Sequence, residues 1–318
     1  MRYPWLAAIA AGLLALGVAA CGGDDNNDSG GGSGGDLSGT IKIDGSSTVA
    51  PLSEAAAEQF QAENPNVRVT VGTSGTGGGF EKFCNGETDI SDASRAIEPD
   101  EIEACKAGGV AFEEVQVAND GLSLVVNPEN DWAACLTVPQ LKKIWEKDSE
   151  IDNWNQVDPS FPDQKLELFG AGTDSGTFDY FTEAINGEEG NSRSDYQATE
   201  DDNVTVQGVA GSPGGLGYFG LSYYEQNQDK VKVVQVDGGD GCVTPSKETV
   251  QDGTYEPLSR PLFVYPSGAA LERPEVQSFL AFYLDSADAI AEQALFVPLT
   301  EEQKAASKEK VESLQAPS

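Results

Sequence analysis

The 318-residue chain contains no histidine. That absence removes the Ser-His-Asp mechanism, and no G-x-S-x-G elbow outside the Gly22–Gly35 stretch offers a serine nucleophile held another way. A zinc site loses its usual nitrogen ligand, and none of the five cysteines forms a C-x-x-C pair, so no metal site is expected. Basic residues are scarce as well: 19 Lys and Arg face 53 Asp and Glu, a formal charge of −34. Such a surface repels nucleic acid, and any anionic ligand must be held by local donors against the overall field. Long apolar runs are limited to one, Trp5 to Ala20, short of the roughly 20 residues that span a bilayer.

Arg2 ahead of that run and Val18-Ala-Ala-Cys21 behind it make residues 1–20 a signal peptide. The cysteine at the cleavage point resembles a bacterial lipobox, in which Cys21 becomes the lipidated first residue. Gly22 to Gly35 is almost entirely Gly, Asp, Asn and Ser, so residues 21–38 are expected to be a flexible tether. The protein is thus expected to be exported and lipid-anchored to the outer face of the cell membrane, on its periplasmic or extracellular side. About 280 residues remain, enough for two lobes.

Four cysteines follow Cys21, and an even number in an exported chain favours two disulfides. Three pairings are possible. Cys84 and Cys105 lie on what read as neighbouring helical segments and are the preferred pair, leaving Cys135 with Cys242.

The body alternates strands and helices, which points to α/β layering. Strands are expected at Thr40–Ile43, Val67–Val71, Leu122–Asn127 and Asp229–Val236. Helices are expected from Pro51, Phe80 and Glu98, after Thr137 as cap, and through the Val276, Phe279, Leu280, Tyr283, Leu284 stripe.

One pattern recurs three times: a strand, a glycine- and hydroxyl-rich turn, then a helix. The turns are Asp44–Val49, Gly72–Gly79 and Gly170–Thr177. At a helix N-terminus the first N–H groups lack intrahelical partners, and the helix dipole favours negative charge. Each turn alone is also what an ordinary N-cap looks like. Three of them at the carboxyl ends of strands fit the place where open sheets bind ligands. Arg95, just before a helix, is the candidate charge partner, since an arginine fork grips an oxyanion through two parallel hydrogen bonds. Asp89 or Asp92 would otherwise claim it.

Taken in order, "GSSTVAP" (45–51), "SGTGGGFEKF" (74–83), "TDISDASR" (88–95), "DSGTFDYF" (174–181) and "SPGGLGYFGLSYY" (212–224) resemble the PstS family, the phosphate-binding proteins of bacterial ABC importers. The likeness runs over about residues 39–300. It implies a two-lobed periplasmic-binding-protein fold of type II, with the ligand in a cleft between lobes joined by two crossovers. Lobe one would comprise 39–118 and 259–318, and lobe two 119–258. The crossovers would lie near Val117–Gly121 and Leu258–Pro261, and the tail helix around Pro274–Gln293 would return to lobe one. Each preferred disulfide then stays within one lobe.

Carried over by motif, the resemblance implies Ser47, Thr48, Ser74, Thr76, Ser94 and Arg95 as contacts from lobe one, and Ser175, Gly176 and Thr177 from lobe two. The family's better-known pattern places the arginine a few residues before S-G-T, where this chain has Ala171. The expectation is that the charges have exchanged lobes. Arg95 would supply the cation, and Asp174 would accept the hydrogen bond of the phosphate proton, a proton that sulfate lacks. Asp92 is the rival acceptor.

The expected function is binding of inorganic phosphate and delivery to the importer's membrane permease, by a monomer without a cofactor. Sulfate, molybdate or tungstate in the same fold is the alternative. Hydrolysis is disfavoured, because Asp174-Ser175-Gly176 resembles an aspartic-protease motif whose only counterpart, Asp28-Ser29-Gly30, lies in the tether.

Overall fold

The computed structural model describes residues 37–315. The leader, Cys21 and nearly all of the tether lie outside the described residues.

In chain order the elements are β1 (Gly39–Gly45), α1 (Ala50–Glu63), β2 (Val67–Gly72), α2 (Thr76–Cys84), β3 (Ile90–Ala93), α3 (Pro99–Gly108), β4 (Val115–Val126) and β5 (Cys135–Thr137). Next come α4 (Val138–Trp145), α5 (Trp154–Val157), β6 (Glu167–Ala171), α6 (Gly176–Asn186), β7 (Gln197–Thr199), α7 (Asp202–Gly211), β8 (Gly215–Gly220) and α8 (Leu221–Glu225). The chain finishes with β9 (Lys232–Asp237), β10 (Cys242–Val243), α9 (Lys247–Gln251), β11 (Ser259–Pro266), α10 (Pro274–Asp285), α11 (Ala287–Gln293) and α12 (Glu301–Gln315).

Local chemistry explains several boundaries. Thr137 caps α4 by accepting the Gln140 N–H at 3.3 Å, while the Gln140 side chain accepts the Thr137 N–H at 2.9 Å. Glu98 and Glu101 form the same reciprocal box on α3, which ends where Gly109 takes a φ of 72°. The helix expected from Phe80 begins earlier, at Thr76, because its glycines are helical. A Cβ at Gly79 would come within 2.5 Å of the Gly45 Cα, so this residue lets α2 lie directly on β1. The helix expected through Pro274–Gln293 is two, broken at Ser286.

The sheet runs β2-β1-β3-β11-β4-β8-β6-β7. β1, β2 and β3 are parallel, and β11 is antiparallel to both β3 and β4. The expected strand at Leu122–Asn127 and the expected crossover before it are one element, β4. Its first half pairs with β11, and from Leu122 onward it pairs with β8 and β9. One strand therefore serves two cores. Ile41, Phe60, Val117, Leu262 and Phe279 fill the first, and Leu124, Trp145, Phe181, Tyr218 and Val236 fill the second. This is the two-lobed α/β architecture.

Both expected disulfides are present, Cys84–Cys105 joining α2 to α3 and Cys135–Cys242 joining β5 to β10.

Candidate functional site

A polar cavity of about 300 Å³ opens where the carboxyl ends of β1, β2 and β3 face α6. Ser46, Ser47 and Thr48, ahead of α1, form one wall. The Ser46 hydroxyl accepts the N–H groups of Thr48 and Val49 at 3.2 and 3.4 Å, which bends this turn into the helix. Gly45 makes the turn possible: its φ is 149°, and a Cβ there would collide with the Asp92 carbonyl.

A second wall is the first turn of α2, Thr76 to Gly78, entered through Gly75 at φ 79° with no side-chain cap. The first N–H groups of that helix therefore face the cavity without intrahelical acceptors. The Thr76 hydroxyl lies 3.1 Å from that of Ser94. Ser74 is already engaged, as its hydroxyl donates to Asp44, which also takes Lys82 Nζ at 2.7 Å. Burial would raise the pKa of Asp44, but the hydrogen bonds from Lys82 and Ser74 outweigh it and hold the carboxyl below its usual range.

Of the expected contacts, Ser47, Thr48, Ser74, Thr76, Ser94 and Arg95 come together around this cavity. Ser175, Gly176 and Thr177 do not line it. Ser175 caps α6, accepting the Thr177 N–H at 3.2 Å, and Gly176 lies against Thr48, where a Cβ would be 2.6 Å from the Thr48 hydroxyl. The turn before α1 and the first turn of α6 thus meet directly, and α6 reaches the cavity one turn later, through Asp179, Tyr180 and Glu183.

Neither charge of the expected exchange stands free over the cavity. Asp174 precedes the cap, is exposed, and directs its N–H toward Glu200 Oε1 at 3.4 Å. It stands outside the cavity. Arg95 lines the cavity, but Glu101 closes its fork with two bonds of 2.8 Å, and Glu98 lies 3.4 Å from Nε. Its charge is spent within its own lobe.

A second arginine at the cavity, which sequence reading missed, is Arg260, at the start of β11. It lines the cavity, lies 3.2 Å through Nε from Asp120 Oδ2, donates through Nη2 to Thr48 Oγ1 at 3.1 Å, and stacks 3.6 Å from the Tyr180 ring centroid. No acceptor among the described residues takes its Nη1 group. A usable signal existed, since the resemblance put a crossover at Leu258–Pro261 and this is the arginine on it.

Two carboxyl groups are shifted. Asp92 is fully buried, and burial above all pushes its pKa up to about 8, with Asp44 and Glu54 adding to the rise against a hydrogen bond from Ser53. Its Oδ1 accepts the Ser53 hydroxyl of α1 at 2.9 Å, and Oδ2 has no partner. The wall is one bond away, since the Ser46 N–H donates to the Asp92 carbonyl at 2.9 Å. Asp179 is pushed up to about 6 by burial and by the Glu189 and Glu183 carboxylates, with Arg260 opposing. The arrangement suits a small, proton-bearing oxyanion.

Comparison with known proteins agrees. The PBP superfamily domain matches residues 31–287. Protein SphX of Synechococcus elongatus is 50% identical over 262 residues, 81% of this chain and 77% of that one. Phosphate-binding protein PstS of Staphylococcus saprophyticus is 40% identical over 294 residues, covering 92% and 88%. Among solved structures, a possible phosphate binding protein from Planctomyces limnophilus shares 47% identity and a TM-score of 0.85, covering 88% of this chain and all of its own. The chain belongs to the PBP superfamily and, within it, to the PstS family of ABC-transporter phosphate-binding proteins.

Proposed function

We infer that the protein captures inorganic phosphate in the cavity between its lobes and delivers it to the permease of an ABC importer. The observation that carries this reading is the convergence of the turn before α1, the first turn of α2 and the free edge of Arg260 on one polar cavity. Ser47, Thr48, Thr76 and Ser94 are assigned as hydroxyl donors, and Arg260 takes the role expected of Arg95. The Ser175–Thr177 turn is assigned to closing the cleft floor on Thr48. The partner change along β4 falls at 121/122, three residues beyond the expected lobe boundary of 118/119, and β11 starts at the expected 258/259. The leader pattern supports a lipid on Cys21, which would hold the receptor at the outer face of the membrane as a tethered monomer.

Titration by calorimetry with phosphate, sulfate and molybdate tests the ligand. Tight phosphate binding and weak sulfate binding are expected, and the reverse order would overturn the reading.

Gly176→Ala tests closure. The added methyl would sit 2.6 Å from the Thr48 hydroxyl and 3.2 Å from its Cα, so the lobes must part to admit it. Phosphate affinity is expected to fall about tenfold or more, roughly 1.4 kcal/mol. The melting temperature should barely move, because the clash lies between lobes rather than inside a core.

Neither carboxylate weighed as acceptor of the phosphate proton lines the cavity: Asp174 stands outside it, and the Asp92 side chain is fully buried against Ser53 of α1.

A further inference from the structure

Arg260 is placed by groups from three parts of the fold. It faces Asp120 in the register of the antiparallel β11–β4 pair, so the two strands that connect the lobes carry a cation and an anion opposite one another. Both side chains are nearly buried, at 12% and 7% exposure. Thr48, from the turn before α1, takes one Nη2 hydrogen, and Tyr180, from the second turn of α6, covers one face of the guanidinium. Tyr180 is itself fixed to the same connection, because its hydroxyl donates to the Pro257 carbonyl at 2.9 Å, three residues before the arginine it covers.

The hydrogens divide in a useful way. A guanidinium has five N–H donors in one plane. Asp120 holds the Nε–H and Thr48 takes one on Nη2, which leaves the edge carrying Nη1 unclaimed among the described residues and on the cavity side. That edge offers the parallel pair of N–H bonds that suits a tetrahedral oxyanion. Asp120 fixes rotation about the guanidinium plane, and the Tyr180 ring fixes its tilt and excludes water from one face, which strengthens the attraction of the other groups.

We propose that Tyr180 and Asp120 are positioning residues for the ligand's cation, and that this cation belongs to the connecting strands rather than to either lobe. The proposal rests on the reading of the cleft as a phosphate site. It has a mechanical consequence. Thr48 and Tyr180 reach Arg260 from opposite lobes, so opening the cleft withdraws at least one of them and loosens the fork. Closure then tightens the grip on the anion through a residue that itself moves little, and the effect appears mainly as slower release.

The experiment compares Tyr180→Phe, Tyr180→Leu and Asp120→Asn by phosphate calorimetry and stopped-flow release. Tyr180→Leu is expected to lose about tenfold in affinity, carried mostly by faster release. Tyr180→Phe keeps the ring while losing the bond to Pro257, and is expected to stay within about threefold of the parent protein. Asp120→Asn keeps shape but frees the fork to rotate, and is expected to weaken binding with little change in folded structure. Equal losses in Tyr180→Phe and Tyr180→Leu would show that the hydroxyl bond, not the ring, matters, and would overturn the assignment. An unchanged Tyr180→Leu would do the same.

Failure of the phosphate reading is separable. If the parent protein binds no phosphate, the placement of Arg260 is still read by NMR of the ligand-free protein. Its side-chain resonances should be ring-shifted in the parent and in Tyr180→Phe and relaxed in Tyr180→Leu. The absence of such a shift in the parent would overturn the stacking itself.

Discussion

Arg260→Ala is expected to lower phosphate affinity at least a hundredfold, about 3 kcal/mol. The cavity is otherwise poor in usable positive charge: Asp179, Glu183 and Glu189 line it, and Arg95 is closed by Glu101. Removing the one cation with a free edge among the described cavity residues leaves neutral donors alone to hold an anion against that field. The same change strands Asp120, nearly buried, whose carboxyl burial already pushes upward while Arg260 pulls it back. Breaking one side of such a pair typically destabilises by about 3–5 kcal/mol. Urea melts alongside calorimetry are therefore needed. Arg260→Ala with Asp120→Ala removes the stranded charge and should recover stability without recovering affinity. Arg260→Lys keeps the charge but not the planar fork, and should bind with intermediate strength. Arg95→Ala should lose less than either, and a larger loss there than at Arg260 would return the cation role to Arg95.

Opening the Cys135–Cys242 bond is the second large effect expected. The bridge closes 107 residues of chain, and loop-closure entropy for a ring of that length is worth about 4–5 kcal/mol against about 3 for the 21 residues between Cys84 and Cys105. In a protein of this size such a loss lowers the melting temperature by on the order of 10 °C. Access separates the two bridges as well. Cys242 is exposed and Cys135 half-buried, whereas Cys84 and Cys105 are 3% and 0% exposed beneath Phe80 and Phe83. A graded thiol titration with mass spectrometry should find Cys135 and Cys242 labelled first, in step with the drop in melting temperature. Simultaneous labelling of all four cysteines would contradict this order.

Much of the architecture was legible before any coordinates. The α/β alternation, the strand-turn-helix pattern, the capping at Thr137 and both disulfide pairs depend on residues near one another in sequence or on counting cysteines. Helix periodicity, caps and turns are local properties, and the motif order carried the fold with them. Boundaries were less secure where the sequence is ambiguous. The glycines before Phe80 look like loop, yet they are helix, because only tertiary contact with Gly45 makes small residues necessary there.

What the sequence determined by itself was the kind of ligand. With no histidine and a formal charge of −34, it holds hydroxyl-rich helix starts that can bind an anion through local dipoles. What only the tertiary structure decided was which charges stand at the cavity and which partners hold them. The Arg95 fork is closed by Glu101, and Asp174 stands exposed outside the cavity. Arg260 reaches the cavity because two strands distant in sequence pair so that Asp120 lies opposite it. The Arg260–Asp120 partnership depends on distances across the fold and on burial, and no local pattern along the chain encodes either.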